Sequence, residues 1–208
     1  MKHACQIYLI TPPKLDDVAS FCALLAQVLD AAPVSALQIR FKDINEYELI
    51  AMTKQIAPIA QSRGVAVIMN DHVKLAKSLK LDGVHLGQED MPLKEARQYL
   101  GPDYMIGVTC HNSRHLAMEA CEGGADYVAF GAFYPTQTKT VIHMTELETL
   151  SIWQETMQIP CVAIGGITAE NAPEIVAAGA DFIAVSGAIW GHKDGPVTGI
   201  KALYDACL

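Results

Sequence analysis

Apolar residues along this chain gather into eight short runs, and amphipathic stretches of helical spacing separate them. The runs predict strands at 6–11, 36–42, 66–71, 83–87, 105–110, 127–132, 161–166 and 182–188. Most are nearly continuous in hydrophobic character, as in Val65-Ala66-Val67-Ile68-Met69 and Phe182-Ile183-Ala184-Val185. A parallel sheet covered on both faces leaves this pattern. The intervening windows, 16–30, 46–63, 72–80, 93–100, 112–122, 144–157, 169–178 and 196–206, read as helices. Asp16-Asp17, Asn45, Asn112-Ser113 and Thr168-Ala169-Glu170-Asn171 supply start signals for four of them.

Eight strand–helix units in 208 residues leave about 26 residues per unit. Right-handed crossovers repeated that often close most simply into one α/β domain, a (β/α)8 barrel spanning residues 1–208. An open doubly wound sheet is the competitor. It would carry a glycine-rich phosphate turn after the first strand, and Thr11-Pro12-Pro13-Lys14 is not one. A weak internal repeat suits equivalent barrel units. Gly124-Ala125-Asp126-Tyr127-Val128-Ala129-Phe130-Gly131 resembles Gly179-Ala180-Asp181-Phe182-Ile183-Ala184-Val185-Ser186-Gly187, with Leu81-Asp82-Gly83-Val84-His85-Leu86-Gly87 a looser copy.

Composition narrows the function classes. At 51% hydrophobic and 18% charged residues the chain is no disordered segment. No apolar run reaches the ~18 residues of a membrane span, and the N-terminus lacks a signal peptide's apolar region, which predicts a cytoplasmic protein. A formal net charge of −8 without a basic patch argues against nucleic-acid partners. A homo-oligomer is compatible with this composition. Cys5, Cys22, Cys110, Cys121, Cys161 and Cys207 are scattered without a Cys-x-x-Cys spacing, which predicts reduced thiols.

Active sites of such barrels lie at the C-terminal ends of the strands. There, Gln38, Arg40 and Lys42 alternate with Ile39 and Phe41, so three long polar side chains share one side. They need a ligand or a counter-charge, and a structural salt-bridge cluster would also satisfy them. Asp71 at the end of the third strand and Asp90 in the segment after the fourth lie at the same rim and suit a hard cation such as Mg2+, with helix capping as the alternative. His85 reads as a ligand-facing group or as a hydrogen-bonded core histidine. Thr136, Thr138 and Lys139 form a loop able to wrap a phosphate, or a solvated turn. Ile164-Gly165-Gly166-Ile167 and Val185-Ser186-Gly187-Ala188 give glycine-rich ends to the last two strands, the recurrent backbone phosphate site of barrels. Two anion sites at one rim suggest two phosphorylated groups held face to face.

These motifs, in this order, resemble the thiamine-phosphate synthase (thiamine-phosphate pyrophosphorylase) family. The resemblance rests on Gln38-Ile39-Arg40-Phe41-Lys42, Asn70-Asp71, His85-Leu86-Gly87-Gln88-Glu89-Asp90, Ile106-Gly107-Val108-Thr109-Cys110-His111, Pro135-Thr136-Gln137-Thr138-Lys139 and Ile164-Gly165-Gly166-Ile167. It implies a Mg2+-assisted transferase that joins a hydroxymethylpyrimidine diphosphate to a thiazole phosphate and releases pyrophosphate through a dissociative path. It further implies that Gln38, Arg40, Lys42, Asn70, Thr109 and Lys139 contact the pyrimidine diphosphate, and that Asp71 and Asp90 hold the metal. Thr136, Thr138, Gly166, Val185 and Ser186 would then form the thiazole-phosphate side. Thr109 stands where the family commonly has Ser, His72 where it often has Arg, and 140–144 lacks the usual Gly- and Pro-containing stretch. A related thiazole tautomerase, with His111 as its proton carrier, and a non-catalytic precursor-binding barrel are the competing readings.

Overall fold

A computed structural model describes residues 4–136 and 144–208. Eight parallel strands, β1 (Gln6–Ile10), β2 (Ala36–Ile39), β3 (Ala66–Asn70), β4 (Gly83–Leu86), β5 (Met105–His111), β6 (Tyr127–Gly131), β7 (Cys161–Ile164) and β8 (Phe182–Val185), close in sequence order into a barrel. Closure pairs β1 with β8, Gln6 lying opposite Phe182 and Leu9 opposite Val185. Around them run α1 (Val18–Ala31), α2 (Glu46–Gln61), α3 (Val73–Ser78), α4 (Leu93–Leu100), α5 (Arg114–Glu122), α6 (Glu148–Thr156) and α7 (Ala172–Ala178), then α8 (Gly187–Trp190) and α9 (Pro196–Ala206). This is the (β/α)8 architecture. Among the described residues no helix is long and apolar enough to cross a membrane.

Every strand begins at the residue the hydrophobic pattern marks, and most stop sooner than it predicts. β2 ends at Ile39 rather than 42, β7 at Ile164 rather than 166, and β8 at Val185 rather than 188. The reason is local. Asp71, Gly165 and Gly166 take left-handed φ values of 64°, 103° and 66°, which no strand continues. At Ser186 the chain turns into α8, a four-residue helix too short to leave a period in the sequence. β5 instead runs one residue longer, with a bulge between Thr109 and His111.

Alternate residues along each strand face opposite layers. One set, including Leu9, Leu37, Val67, Val84, Ile106, Val128, Phe130 and Ile183, packs under the helices, where Trp153 meets Phe130 edge-on at 5.2 Å. The other set fills the barrel with Tyr8, Ile10, Ile68, Tyr127, Ala129, Val162 and Ala184. Three starts behave as read. Asp17 and Ser113 accept from Ser20 and Leu116 backbone N–H, and Asn45 forms a capping box with Glu48. Asn171 differs: its side chain makes no cap bond and instead binds the loop before it. All six cysteines are free thiols.

The internal repeat has a structural cause. Asp82 accepts from Val67 N–H at 2.7 Å, Asp126 from Ile106 N–H at 2.7 Å and Asp181 from Cys161 N–H at 2.8 Å. Each of these aspartates stands just before an even-numbered strand and fixes the start of the strand preceding it. Together they tie the N-terminal floor of the barrel, and Arg97 adds an ion pair to Asp126.

Candidate active site at the C-terminal rim

The register places Asn70, at the end of β3, beside His85 of β4. Asp71 follows in its left-handed turn, with its N–H donating to the His85 carbonyl at 2.9 Å. The Asn70 amide donates to the Asp71 carboxylate at 2.6 Å. From the next loop, Asp90 accepts from Gly87 N–H at 2.6 Å. Neither aspartate caps a helix: α3 has His72 at its N-cap and α4 has Pro92. Partial burial, a hydrogen bond with Asp90 and the charge of Asp90 push the Asp71 carboxyl up to about 6, while Arg40 and His72 pull the other way. Two carboxyls close enough to raise the proton affinity of Asp71, with the Arg40 guanidinium nearby, form a site that further positive charge would stabilise. This all-oxygen pair fits a divalent cation that keeps several of its own waters. Among the described residues no cluster of three or more His, Cys, Asp or Glu side chains could hold a metal.

Arg40 lies just past the end of β2, so its backbone needs a partner other than the strand ladder. Thr11 provides it. The buried Thr11 hydroxyl accepts from Arg40 N–H at 2.9 Å and donates to the Arg40 carbonyl at 3.0 Å. The Thr11 carbonyl in turn accepts from the Ser186 hydroxyl at 3.1 Å. One residue therefore links the strand end bearing Arg40 to the end of β8. Lys42 is anchored by its N–H on the Pro13 carbonyl at 2.9 Å.

Below this rim, Gln38 points into the barrel and is buried. Its amide donates to Tyr8 Oη at 3.1 Å, and Tyr8 Oη lies 2.9 Å from Tyr127 Oη. Tyr127 Oη is 3.0 Å from His85 Nδ1, and His85 Nε2 is 2.8 Å from Thr109 Oγ1. His85 is thus a buried, hydrogen-bonded histidine that supports the rim from beneath. Tyr127 has room only because position 107 is glycine: a β-carbon there would stand 1.9 Å from the Tyr127 ring. Gln88 adds an outer tie, donating to the Thr109 carbonyl at 2.6 Å.

Across the rim, the chain after β6 lies directly on the glycines after β7. A β-carbon on Gly166 would sit 2.5 Å from the Pro135 carbonyl oxygen, and one on Gly165 would sit 2.4 Å from Ala132 Cβ. Asn171 holds that turn, accepting from Thr168 N–H at 2.8 Å and donating to the Gly166 carbonyl at 3.1 Å. Tyr134 donates to Glu174 at 2.5 Å, fixing the β6 loop to α7. Trp190 of α8 donates to the Ile10 carbonyl at 2.6 Å. The first N–H groups of α8 have no partner within that short helix.

Gln38, Arg40, Asn70, Asp71, Asp90 and Thr109 are therefore neighbours on β2 to β5, while Gly166 and Ser186 lie at the ends of β7 and β8. Val185 belongs to the layer under the helices, so only its backbone reaches the rim. Thr136 is on the loop after β6; Thr138, Lys139 and residues 140–143 lie outside the described residues. His111 sits beyond the β5 bulge at φ 53°, and its carbonyl accepts from Thr145. Sequence reasoning missed Thr11, Tyr8, Tyr127, Gln88 and Asn171 as site supports. A polar or aromatic residue on the inward-facing set of a strand is the signal that marks Tyr8 and Tyr127.

A family model described as thiamine monophosphate synthase matches residues 7–189. The chain belongs to the thiamine monophosphate synthase family. A thiamine-phosphate synthase of Rhodospirillum centenum is 52% identical over 196 residues, covering 94% of each chain. One from Hyphomonas neptunium is 51% identical over 201 residues, covering 95% of this chain and 91% of its own. The solved thiamine phosphate pyrophosphorylase of Pyrococcus furiosus superimposes with a TM-score of 0.85 at 31% identity, covering 98% of this chain and 96% of that one. Family membership thus agrees with the resemblance carried by the rim motifs.

Proposed function

We propose that this chain is a transferase that forms thiamine phosphate from a hydroxymethylpyrimidine diphosphate and a thiazole phosphate, releasing pyrophosphate. The observation that carries this reading is the Asp71–Asp90 carboxyl pair beside Arg40, facing the glycine-rich ends of β7 and β8. A paired acid beside a guanidinium suits a metal-bound diphosphate, and glycine-rich strand ends suit a second phosphate. Proton transfer on a thiazole phosphate would use the second phosphate site but not the paired acid, so the acid pair favours coupling over tautomerisation.

In this reading Gln38, Arg40, Lys42, Asn70, Thr109 and Lys139 bind the pyrimidine diphosphate. Thr136, Thr138, Gly166, Val185 and Ser186 bind the thiazole phosphate, the last three largely through backbone. Asp71 and Asp90 hold Mg2+, which when bound supplies positive charge against the diphosphate. The guanidinium of Arg40 and the ammonium groups of Lys42 and Lys139 stabilise the departing pyrophosphate, so that the carbon–oxygen bond breaks before the thiazole nitrogen attacks. The protein's task is then to hold the two substrates in line and keep water from the pyrimidine-methyl cation. The same reading makes residues 1–208 one barrel domain, acting in the cytoplasm on small phosphorylated molecules.

The test is pyrophosphate release by the purified chain given both substrates, with and without Mg2+. Release that requires both substrates and the metal, and that is lost in Arg40→Ala, supports the assignment. A folded protein that binds the thiazole phosphate yet releases no pyrophosphate overturns it.

A further inference from the structure

The five side chains Gln38, Tyr8, Tyr127, His85 and Thr109 come from β2, β1, β6, β4 and β5 and form one unbroken hydrogen-bonded chain across the barrel. Its two ends are residues assigned above to the pyrimidine diphosphate, and its three middle members have no assigned role. We propose that this chain is a one-way relay: the amide orientation of Gln38 sets the His85 tautomer and thereby makes the Thr109 hydroxyl a donor toward substrate. Tyr8, Tyr127 and His85 are then positioning residues for the coupling reaction. The proposal rests on the substrate assignment for its purpose, but not for its proton arrangement.

The arrangement follows from counting protons. A phenol has one proton to give, and burial keeps both here protonated: Tyr8 is pushed up to about 12 and Tyr127 well above its ordinary value. Tyr8 Oη accepts from Gln38 Nε2, so its own proton goes to Tyr127 Oη. Tyr127, now an acceptor, gives its proton to His85 Nδ1. A neutral imidazole that accepts at Nδ1 carries its proton on Nε2 and donates it to Thr109 Oγ1. Thr109 keeps its own hydroxyl proton, which suits an anionic oxygen of a diphosphate. Turning the Gln38 amide over reverses every bond: Tyr8 then donates to Gln38 Oε1, His85 carries its proton on Nδ1, and Thr109 donates inward to His85 instead of outward. One orientation at β2 thus decides what β5 offers to substrate. Burial makes the arrangement all-or-none, because a reversed bond in the middle would leave two protons or two lone pairs facing each other.

The experiment labels the histidine rings of the full chain with 15N and assigns His85 by comparison with His85→Gln. In the wild type at neutral pH the ring shifts should report the neutral form with its proton on Nε2. In Gln38→Glu, where a carboxylate can only accept from Tyr8, the proton should move to Nδ1. Tyr127→Phe should lose the tautomer preference and lower kcat/KM for pyrophosphate release about tenfold or more. A wild-type His85 protonated on Nδ1, or on both nitrogens, overturns the relay even if no variant folds. So does a folded Tyr127→Phe with full kcat/KM. Absence of turnover in the wild type counts instead against the proposed reaction, and the His85 tautomer still decides the relay.

Discussion

At the floor of the barrel Asp82, Asp126 and Asp181 each accept from the N–H of a neighbouring strand, and each arrives in a near-repeat of the same short sequence. At the rim Asp71 and Asp90 share a hydrogen bond with one another, Asp71 in a left-handed turn that a side chain disfavours. A carboxylate that accepts from the N–H of a neighbouring strand, as each floor aspartate does, holds structure. Two carboxyls set against each other instead hold a standing demand for positive charge. The five residues are chemically identical, and only the partner distinguishes scaffold from site.

The sharpest way to break this comparison is to exchange the two kinds of aspartate loss. Asp90→Asn should lower Mg2+-dependent pyrophosphate release by about 10²-fold or more, with little change in thermal midpoint. Equal loss of activity and stability would erase the distinction. A second effect comes from pH. Asp71 holds its proton up to about 6, whereas an ordinary aspartic acid releases it near 3.8. Metal binding needs the ionised form, so apparent Mg2+ affinity should fall as pH drops through about 6, approaching tenfold per unit below it. Mg2+ titrations at pH 5, 6 and 7.5 check this, and identical affinities would contradict it.

Thr11 sharpens the comparison from the other side, as a rim residue whose role is to hold rather than to bind. Thr11→Val should cost about tenfold in kcat/KM, because Arg40 loses both backbone bonds, and Thr11→Ser should restore most of it. Failure of serine to rescue would mean that the methyl group, not the hydroxyl, matters. The smallest effect on turnover belongs to the floor. Asp126→Ala should leave kcat unchanged per folded molecule while removing about 1–3 kcal/mol of stability, read by denaturant unfolding.

Much of this is legible in the sequence alone. Parallel strands buried on both faces show as continuous apolar runs, so all eight strand starts follow from pattern alone. Their ends do not, because Arg40-Phe41-Lys42 and Ser186-Gly187-Ala188 have strand-like or neutral composition while their backbone turns away. Asp71 and Asp90 stand out as acids at the same rim. Thr11 does not, since a β-branched residue at a strand end looks like one more strand residue. Nor does the Tyr8–Tyr127–His85 chain, because the level at which each strand's inward residues meet depends on register, which one-dimensional spacing does not carry.

The floor ties span only 15 to 20 residues of chain, whereas the Ser186–Thr11 bond joins residues 175 apart. Short loops close at little entropic cost and long ones form late. Neighbouring strand pairs should therefore assemble first and the β1–β8 seam last. Thr11 fixes Arg40 within the early β1–β2 pair, and the seam then adds the Ser186 bond that brings the end of β8 to the rim, so the complete site should form last. In a refolding time course, activity should lag behind recovery of the backbone signal, and a nearly complete barrel should be catalytically silent.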